Sequence, residues 1–449
     1  MSAFDGERAL VIGLGVSGAA AARVLREEGA TVRISEAGLR ERASGAASIG
    51  DLDVEVLDGG NDASHLRDAT LVVTSPGVPQ GAPILRAALD HGIPVWSELE
   101  LGARLCRVPY VGVTGTNGKT TTTEMLAASM RADGRDAVAC GNVGHPFCLA
   151  AREPHDALAV EASSFQLRFS ESFHPRVSVL LNLAEDHLDW HGNFEAYADA
   201  KARIFALQDG GDVHVGNRDD HAAAAISSKA PARVVWTTLA EPRDGEVGCR
   251  GDEIVALLGD AHAFPVPAEG GRGRRADAVA AVAAGLSFGL STRAIAEGVD
   301  VVAPLSHRGA TVARAGSIRF VDDSKATNPH AALAALEGLD DVVLIAGGRA
   351  KGVDLSPLAA AAPRMAGVVA IGEAAEDLVR IFSSLVPTRT AGSIEEATRI
   401  AFDLAPEAGT VLLAPACASQ DMFRDYRERG ERFAAAAVRI AEGVPATHG

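Results

Sequence analysis

Lys119 stands in a run suited to holding phosphate. Val111-Gly112-Val113-Thr114-Gly115-Thr116-Asn117-Gly118-Lys119-Thr120-Thr121 reads as a β-branched strand, a glycine-rich turn and a helix opening on threonines. Glycines let such a turn aim successive N–H groups at an anion, and the helix N-terminus adds partial positive charge. Lys119 then reaches the outer phosphates, and the Thr120 hydroxyl can ligate Mg²⁺. The loop is a shortened one, because Val113 stands where a full-length phosphate loop needs glycine. A second glycine run, Gly13-Leu14-Gly15-Val16-Ser17-Gly18, follows the strand Ala9-Leu10-Val11-Ile12 and opens an alanine-rich helix. Its GxGxxG is the dinucleotide fingerprint, with Glu36 placed for ribose hydroxyls or as a solvated strand-end residue. The glycines guarantee only a close backbone approach to some phosphate, so any nucleotide diphosphate fits.

Further polar residues recur just past apolar strands, where the carboxyl ends of a parallel sheet converge on one crevice. Ala157–Val160 runs into Glu161-Ala162-Ser163-Ser164, and Val177–Leu181 into Asn182-Leu183-Ala184-Glu185-Asp186-His187. Glu161 and His187 are thereby expected to face Lys119 and Thr120 as Mg²⁺ ligands or their outer partners. Singly, each also fits a bland role, a helix-start carboxylate and a loop histidine. His187 and His191 have the spacing of a helical zinc pair, but Leu188-Asp189-Trp190 and Gly192-Asn193 argue against a helix there, and zinc is discounted. Turns at Ser75-Pro76-Gly77-Val78 and Gly141-Asn142-Val143-Gly144 lie at similar strand ends. Lys201, in a helix expected over Phe194–Gln208, reads by type alone as a surface lysine. Later strands run into Asp323-Ser324-Lys325-Ala326-Thr327, Gly347-Gly348-Arg349-Ala350-Lys351 and Ala414-Pro415-Ala416-Cys417-Ala418-Ser419. Lys351 after two glycines is placed to meet an anion, while Asp323 and Lys325 also fit a helix cap.

These residues need alternating strands and helices to position them, and the chain supplies that pattern throughout its 449 residues. The expected fold class is α/β in three domains: a Rossmann-like domain at 1–97, a central P-loop-type ATPase domain at 98–303 and a second Rossmann-like domain at 304–449. Asp and Glu number 59 against 42 Lys and Arg, for a net charge of −17, which excludes nucleic acid as principal partner. No apolar run approaches a membrane span, and the N-terminus lacks a basic-then-apolar signal. Five scattered cysteines without a CxxC fit reduced thiols and a cytoplasmic location.

Taken together and in order, Thr114–Thr120, Glu161-x-Ser163-Ser164, Asp186-His187-x-Asp189, Asp323-Ser324-Lys325-x-Thr327-Asn328 and Gly347-Gly348-x-x-Lys351-Gly352 resemble the Mur ligase family. Phe165-Gln166-Leu167 and Cys417-Ala418-Ser419 resemble its D-glutamate-adding branch. The resemblance implies an ATP-dependent ligase acting on UDP-N-acetylmuramoyl-L-alanine and D-glutamate through an acyl phosphate, as a monomer, with ATP as co-substrate and two Mg²⁺ ions. Lys119, His187 and Lys201 are the implied catalytic residues. ATP would lie on Gly115, Thr116, Asn117, Gly118, Lys119, Thr120 and Thr121, with Arg308, Asp323 and Lys325. Thr120 and Glu161 would hold one Mg²⁺, and His187 the other, bridged by Lys201 as a carbamate. The UDP substrate would meet Gly15, Val16, Ser17, Gly18, Ser35, Glu36, Ser75, Asn142 and Ser163, and the amino acid Thr327, Lys351, Ser419 and Tyr426. Ser35 departs from the family's acidic residue beside uracil, Arg274 stands near a missing adenine-binding asparagine, and a glutamate usual near Arg308 is lacking. Competing expectations are another amino-acid-adding Mur ligase, a folylpolyglutamate synthetase-like ligase, an NAD-dependent oxidoreductase and a non-catalytic nucleotide sensor.

Overall fold

The computed structural model describes residues 3–267, 271–303 and 306–443. Glu269 and Gly270, which open a glycine- and arginine-rich run at 269–275, and Pro304 and Leu305 at the expected start of the third domain, lie outside the described residues. The first sheet is parallel, with β1 (Arg8–Ile12), β2 (Thr31–Ser35), β3 (Glu55–Leu57), β4 (Leu71–Thr74) and β5 (Val95–Ser97) in the order β3-β2-β1-β4-β5. Pro94 precedes its edge strand, where a missing N–H breaks no inner ladder.

The second sheet holds β6 (Tyr110–Thr114), β7 (Ala137–Gly141), β8 (Ala157–Glu161), β9 (Val177–Leu180), β10 (Val213–Asn217) and β11 (Arg233–Thr237). It continues through β12 (Glu246–Arg250), β13 (Glu253–Leu258) and β14 (Asp260–Pro265), in the order β14-β13-β12-β11-β10-β9-β6-β8-β7. β12, β13 and β14 pair antiparallel, which the expected βα alternation had not included. Arg250-Gly251-Asp252 and Leu258-Gly259-Asp260 are the hairpin signals that marked them. The third sheet is β15 (Ala310–Ala315), β16 (Ile318–Asp322), β17 (Val342–Gly347), β18 (Met365–Ile371), β19 (Thr388–Thr390) and β20 (Thr410–Leu413), ordered β15-β16-β20-β17-β18-β19 and antiparallel only at β15–β16.

Every residue of β6 and β8 is buried, as expected of central parallel strands covered on both faces. The packing forms two compact units. One comprises the chain to Leu183 with Trp190–Val266 and Ala276–Val302, and carries the first two sheets. The other carries the third sheet and takes in the short segment Ala184–Asp189. Within the first unit the two sheets share core: Leu101 and Cys148 pack with Val11 and Val73, and Phe169 with Leu10 and Ile12. Two expected elements differ. The helix after Asn193 ends at Ala202 and passes into a 3₁₀ turn, Arg203–Phe205, and Leu188–His191 forms one helical turn where none was expected. That turn fits between two left-handed residues, His187 (φ +55°) and Gly192 (φ +86°), which start and stop it abruptly.

Candidate active site

β6 delivers the chain to Thr114, and Gly118 (φ +85°) turns it into the helix Lys119–Ala132. The positive φ favours glycine at 118, and a Cβ there would lie 2.0 Å from Asp277 Oδ1 and force that carboxylate aside. Lys119 Nζ donates to the carbonyls of Gly115 and Thr116, each at 2.9 Å. Lys201, only 2% exposed, donates to the same Gly115 carbonyl at 2.7 Å and lies 3.5 Å from Thr114 Oγ1. Its amine also sits 4.8 Å from the Tyr197 ring centre, and Tyr197 OH is 2.9 Å from Thr116 Oγ1. Burying an ammonium costs several kcal/mol, which decides against the surface-lysine reading. Two lysine amines on one carbonyl, beside a glycine turn and a helix start, form a donor set that fits a polyphosphate. Asn182 braces the loop, its Oδ1 accepting from Asn117 N at 2.8 Å and its Nδ2 donating to Asn117 O at 3.1 Å. Thr120 is half-buried and Thr121 buried in the first turn of the helix.

Glu161, the last residue of β8, is 2% exposed and accepts from Asn142 Nδ2 at 2.8 Å. Residues expected on different ligands are thus joined. Ser163 caps the helix Ser164–Arg168 in a reciprocal box with Gln166. Gln166 Nε2 donates to Glu98 Oε2 at 3.2 Å, and Cys148 N donates to Glu98 Oε1 at 2.6 Å. Burial pushes the Glu98 carboxyl up, against the opposing pull of the Cys148 and Gln166 donors. His191 Nε2 is 3.0 Å from Ser164 Oγ, and its ring stacks on Phe165 at 5.7 Å.

In the first sheet, a Cβ on Gly18 would lie 1.9 Å from Gly13 O, and Ser75 Oγ donates to that same carbonyl at 3.0 Å. Among the described residues no side chain caps the helix opening at Val16 and Ser17 after Gly15, an arrangement that fits an anion at its first N–H groups. Glu36 accepts from Leu14 N at 2.6 Å and Gly38 N at 3.0 Å, closing the turn on itself. Ser35 is fully buried, its hydroxyl 2.9 Å from both Asn61 Oδ1 and His65 Nδ1.

The second unit gathers the remaining residues. His307 Nδ1 is 2.6 Å from Asp322 Oδ2, and Lys325 Nζ lies 4.1 Å from the Tyr426 ring centre. Burial pushes the Asp323 carboxyl up to about 7, with Arg308 pulling it down and Asp322 pushing it further. Lys351, at φ +56°, forms an ion pair with Asp186, whose Oδ2 also accepts from Asn328 Nδ2 at 3.1 Å. Burial raises Asp186, but Lys351 and His187 outweigh it and hold the carboxyl below its ordinary range. His187 Nε2 lies 3.7 Å from the same carboxylate. Thr327 N donates to Lys325 O at 2.8 Å, and Ser419 is buried. Arg429, fully buried, donates to Ser324 Oγ and O at 3.0 and 2.8 Å and to Cys417 O at 3.2 Å, fixing the loops that bear Thr327 and Ser419.

Three family models match in order: the MurD-like N-terminal domain of Mur ligases over residues 7–97, the Mur ligase middle domain over 113–248 and the Mur ligase glutamate ligase domain over 307–417. A UDP-N-acetylmuramoylalanine--D-glutamate ligase of Frankia casuarinae is 43% identical, covering 97% of this chain and 94% of that protein. One of Trichlorobacter lovleyi is 37% identical over 97% and 99%. The chain belongs to the Mur ligase family. It is accordingly an ATP-dependent carbon–nitrogen ligase, with ATP and Mg²⁺ as general requirements. A solved pseudomurein peptide ligase type C from Methanothermus fervidus shares the fold, with a TM-score of 0.62, 18% identity and coverage of 96% and 99%.

For a Mur ligase, the residue types in the loops were legible, but their partners were not. Asn182, Glu98 and Arg429 escaped notice as site residues, and Asp186 entered only as part of a motif. Asn182 had a signal, its place one step past β9's expected end. Arg429 had none, since a helical arginine in a charged stretch reads as solvated.

Proposed function

We propose that this protein joins D-glutamate to UDP-N-acetylmuramoyl-L-alanine with ATP as the energy source, a step of peptidoglycan precursor synthesis. The observation that carries this is Lys201: a lysine buried against the phosphate loop at Gly115, in a chain that aligns end to end with D-glutamate-adding ligases. The domain limits that go with it are 1–97 for the UDP substrate, 98–303 for ATP and 304–449 for the amino acid. A cytoplasmic monomer suits soluble substrates, and among the described residues no helix is long and apolar enough to cross a membrane.

Gly115–Thr121 hold the ATP phosphates through backbone N–H groups, with Lys119 on the outer oxygens. Thr120 and Glu161 would supply oxygens to one Mg²⁺, and His187, on its motif, would hold a second. When bound, Mg²⁺ neutralises charge on the phosphoryl oxygens. Lys201, starting as an ammonium, would lose two protons as its nitrogen bonds the carbon of CO₂, and so would turn from a cation into a carbamate whose oxygens can hold Mg²⁺. The substrate's alanine carboxylate attacks the γ-phosphorus and ADP leaves. The amine of D-glutamate then attacks the acyl carbon, losing a proton, and phosphate departs. Asn142 and Ser163 orient the UDP substrate, with the glycine turn at Gly13–Gly18, Ser75, Ser35 and Glu36 on its nucleotide end. Lys351 holds a carboxylate of the incoming amino acid, aided by Thr327, Ser419 and Tyr426, and Arg308, Asp323 and Lys325 lie along ATP.

ADP release should be measured with UDP-N-acetylmuramoyl-L-alanine and, separately, D-glutamate, L-glutamate and meso-diaminopimelate. Release dependent on D-glutamate alone is expected. Release indifferent to the amino acid rules out the ligase, and preference for L-glutamate rules out the stereochemical assignment.

A further inference from the structure

Glu98 lies at the first helical position after β5, immediately beyond the first sheet, yet it is only 1% exposed. Its two oxygens are divided between segments that carry residues assigned to the UDP substrate. Oε1 accepts from Cys148 N at 2.6 Å, six residues past Asn142. Oε2 accepts from Gln166 Nε2 at 3.2 Å. A carboxylate that only accepts admits one orientation of the Gln166 amide, NH₂ toward Glu98 and oxygen away. The oxygen then receives Ser163 N at 3.1 Å and Ser163 Oγ–H at 2.8 Å. Gln166 N in turn donates to Ser163 Oγ at 3.3 Å. The Ser163 proton is therefore committed to Gln166, and one lone pair of that hydroxyl is left over.

We propose that Glu98 is a positioning residue for the UDP substrate: through Gln166 it orients the Ser163 hydroxyl so that Ser163 meets the substrate as an acceptor, and through Cys148 it ties that orientation to the Asn142 turn. The proposal rests on the assignment of Ser163 and Asn142 to the UDP substrate made above. It differs from a merely structural role in one respect: the polarity of the contact matters, not its bulk. In Glu98→Gln the new NH₂ faces a donor whichever way it turns, Gln166 on one side or Cys148 N on the other. Gln166 must flip to relieve the clash, which turns its NH₂ toward Ser163 N–H. The exchange Glu98→Gln with Gln166→Glu restores every pairing. The amide now at position 98 accepts from Cys148 N and donates to the carboxylate now at position 166, whose far oxygen still accepts from Ser163.

The test is calorimetric binding of UDP-N-acetylmuramoyl-L-alanine to the full-length protein, with ADP binding and the thermal midpoint as controls. Glu98→Gln should weaken binding of the UDP substrate about tenfold and leave ADP affinity unchanged, and the exchanged pair should return to within about threefold of the wild type. Wild-type affinity in the single variant, or an exchanged pair no better than the single variant, overturns the proposal. If the single variant does not fold, the exchanged pair against the wild type decides in the same way. A wild-type protein that fails to bind the UDP substrate speaks against the proposed function itself, a result distinct from variants that differ in the wrong order.

Discussion

Lys201 and Lys119 donate to one carbonyl of the phosphate loop, at 2.7 and 2.9 Å, and this shared contact sets the demands on both side chains. Two ammonium groups so close repel one another, and a bound polyphosphate or a carbamate on Lys201 relieves the repulsion. Lys201→Ala should therefore lose at least about a hundredfold in D-glutamate-dependent ADP release, partly restored by millimolar formate or acetate. Full activity in that variant would return Lys201 to a packing role. The Asp186–Lys351 pair obeys the same logic, with Asp186 buried and the Lys351 side chain 10% exposed. Asp186→Asn leaves the Lys351 charge uncompensated and should cost about 3 kcal/mol in urea unfolding followed by circular dichroism. Adding Lys351→Met should recover most of that loss, because it removes the stranded charge. Two losses that simply add would show that the pair is not coupled.

Among the elements, β9, β10 and the helix His221–Ser227 are joined by a buried relay. His214 lies 2.7 Å from Ser178 Oγ and 2.8 Å from Ser227 Oγ, and Ser178 donates to Gln208 Oε1 at 2.7 Å. Burial lowers His214 to about 3, so it stays neutral in the folded protein. The unfolded chain, with an ordinary histidine near 6.5, binds the extra proton first. Stability from this group is thus full above about pH 6.5 and is lost as pH falls toward 3. Between pH 7 and pH 5 the wild type should lose about 2 kcal/mol that His214→Gln does not, read as the change in their stability difference. A difference constant across that range would mean that His214 is already charged in the fold. Elements of this kind also mark where the sequence was readable. The glycine turns at Gly13–Gly18 and Gly115–Gly118 declared themselves, because φ above zero and close backbone approach leave few alternatives. His214 is a polar residue inside the otherwise apolar run Val213–Gly216, and nothing local tells that Ser178 and Ser227, far apart in the chain, converge on it. Lys201 and Arg429 were obscure for the same reason: burial is decided by distant elements, while residue type predicts exposure.

At the scale of the whole molecule, the first two sheets are separate in topology but not in packing. Unfolding the first sheet alone would expose Leu101, Cys148 and Phe169, which complete its cores. Nor can the helix that carries Leu101 leave with the first sheet: on it, fully buried Glu100 accepts from Glu171 N and Ser172 N at 2.7 Å each and Glu98 from Cys148 N, and its departure would strand those N–H groups. These costs favour one cooperative transition for both sheets. Trp96, Trp190 and Trp236 all lie in this unit, so single-tryptophan variants can follow each sheet by itself. Met125 is buried in the core of the second sheet, and Met125→Ala should cost about 2–5 kcal/mol. With Trp96 on β5 as the sole tryptophan, the urea midpoint reported from the first sheet should fall by as much as that reported by Trp236 on β11. A Trp96 midpoint that stays in place while the Trp236 midpoint moves would show the first sheet to fold on its own, and the buried glutamates at its border to be a docking contact instead of shared core.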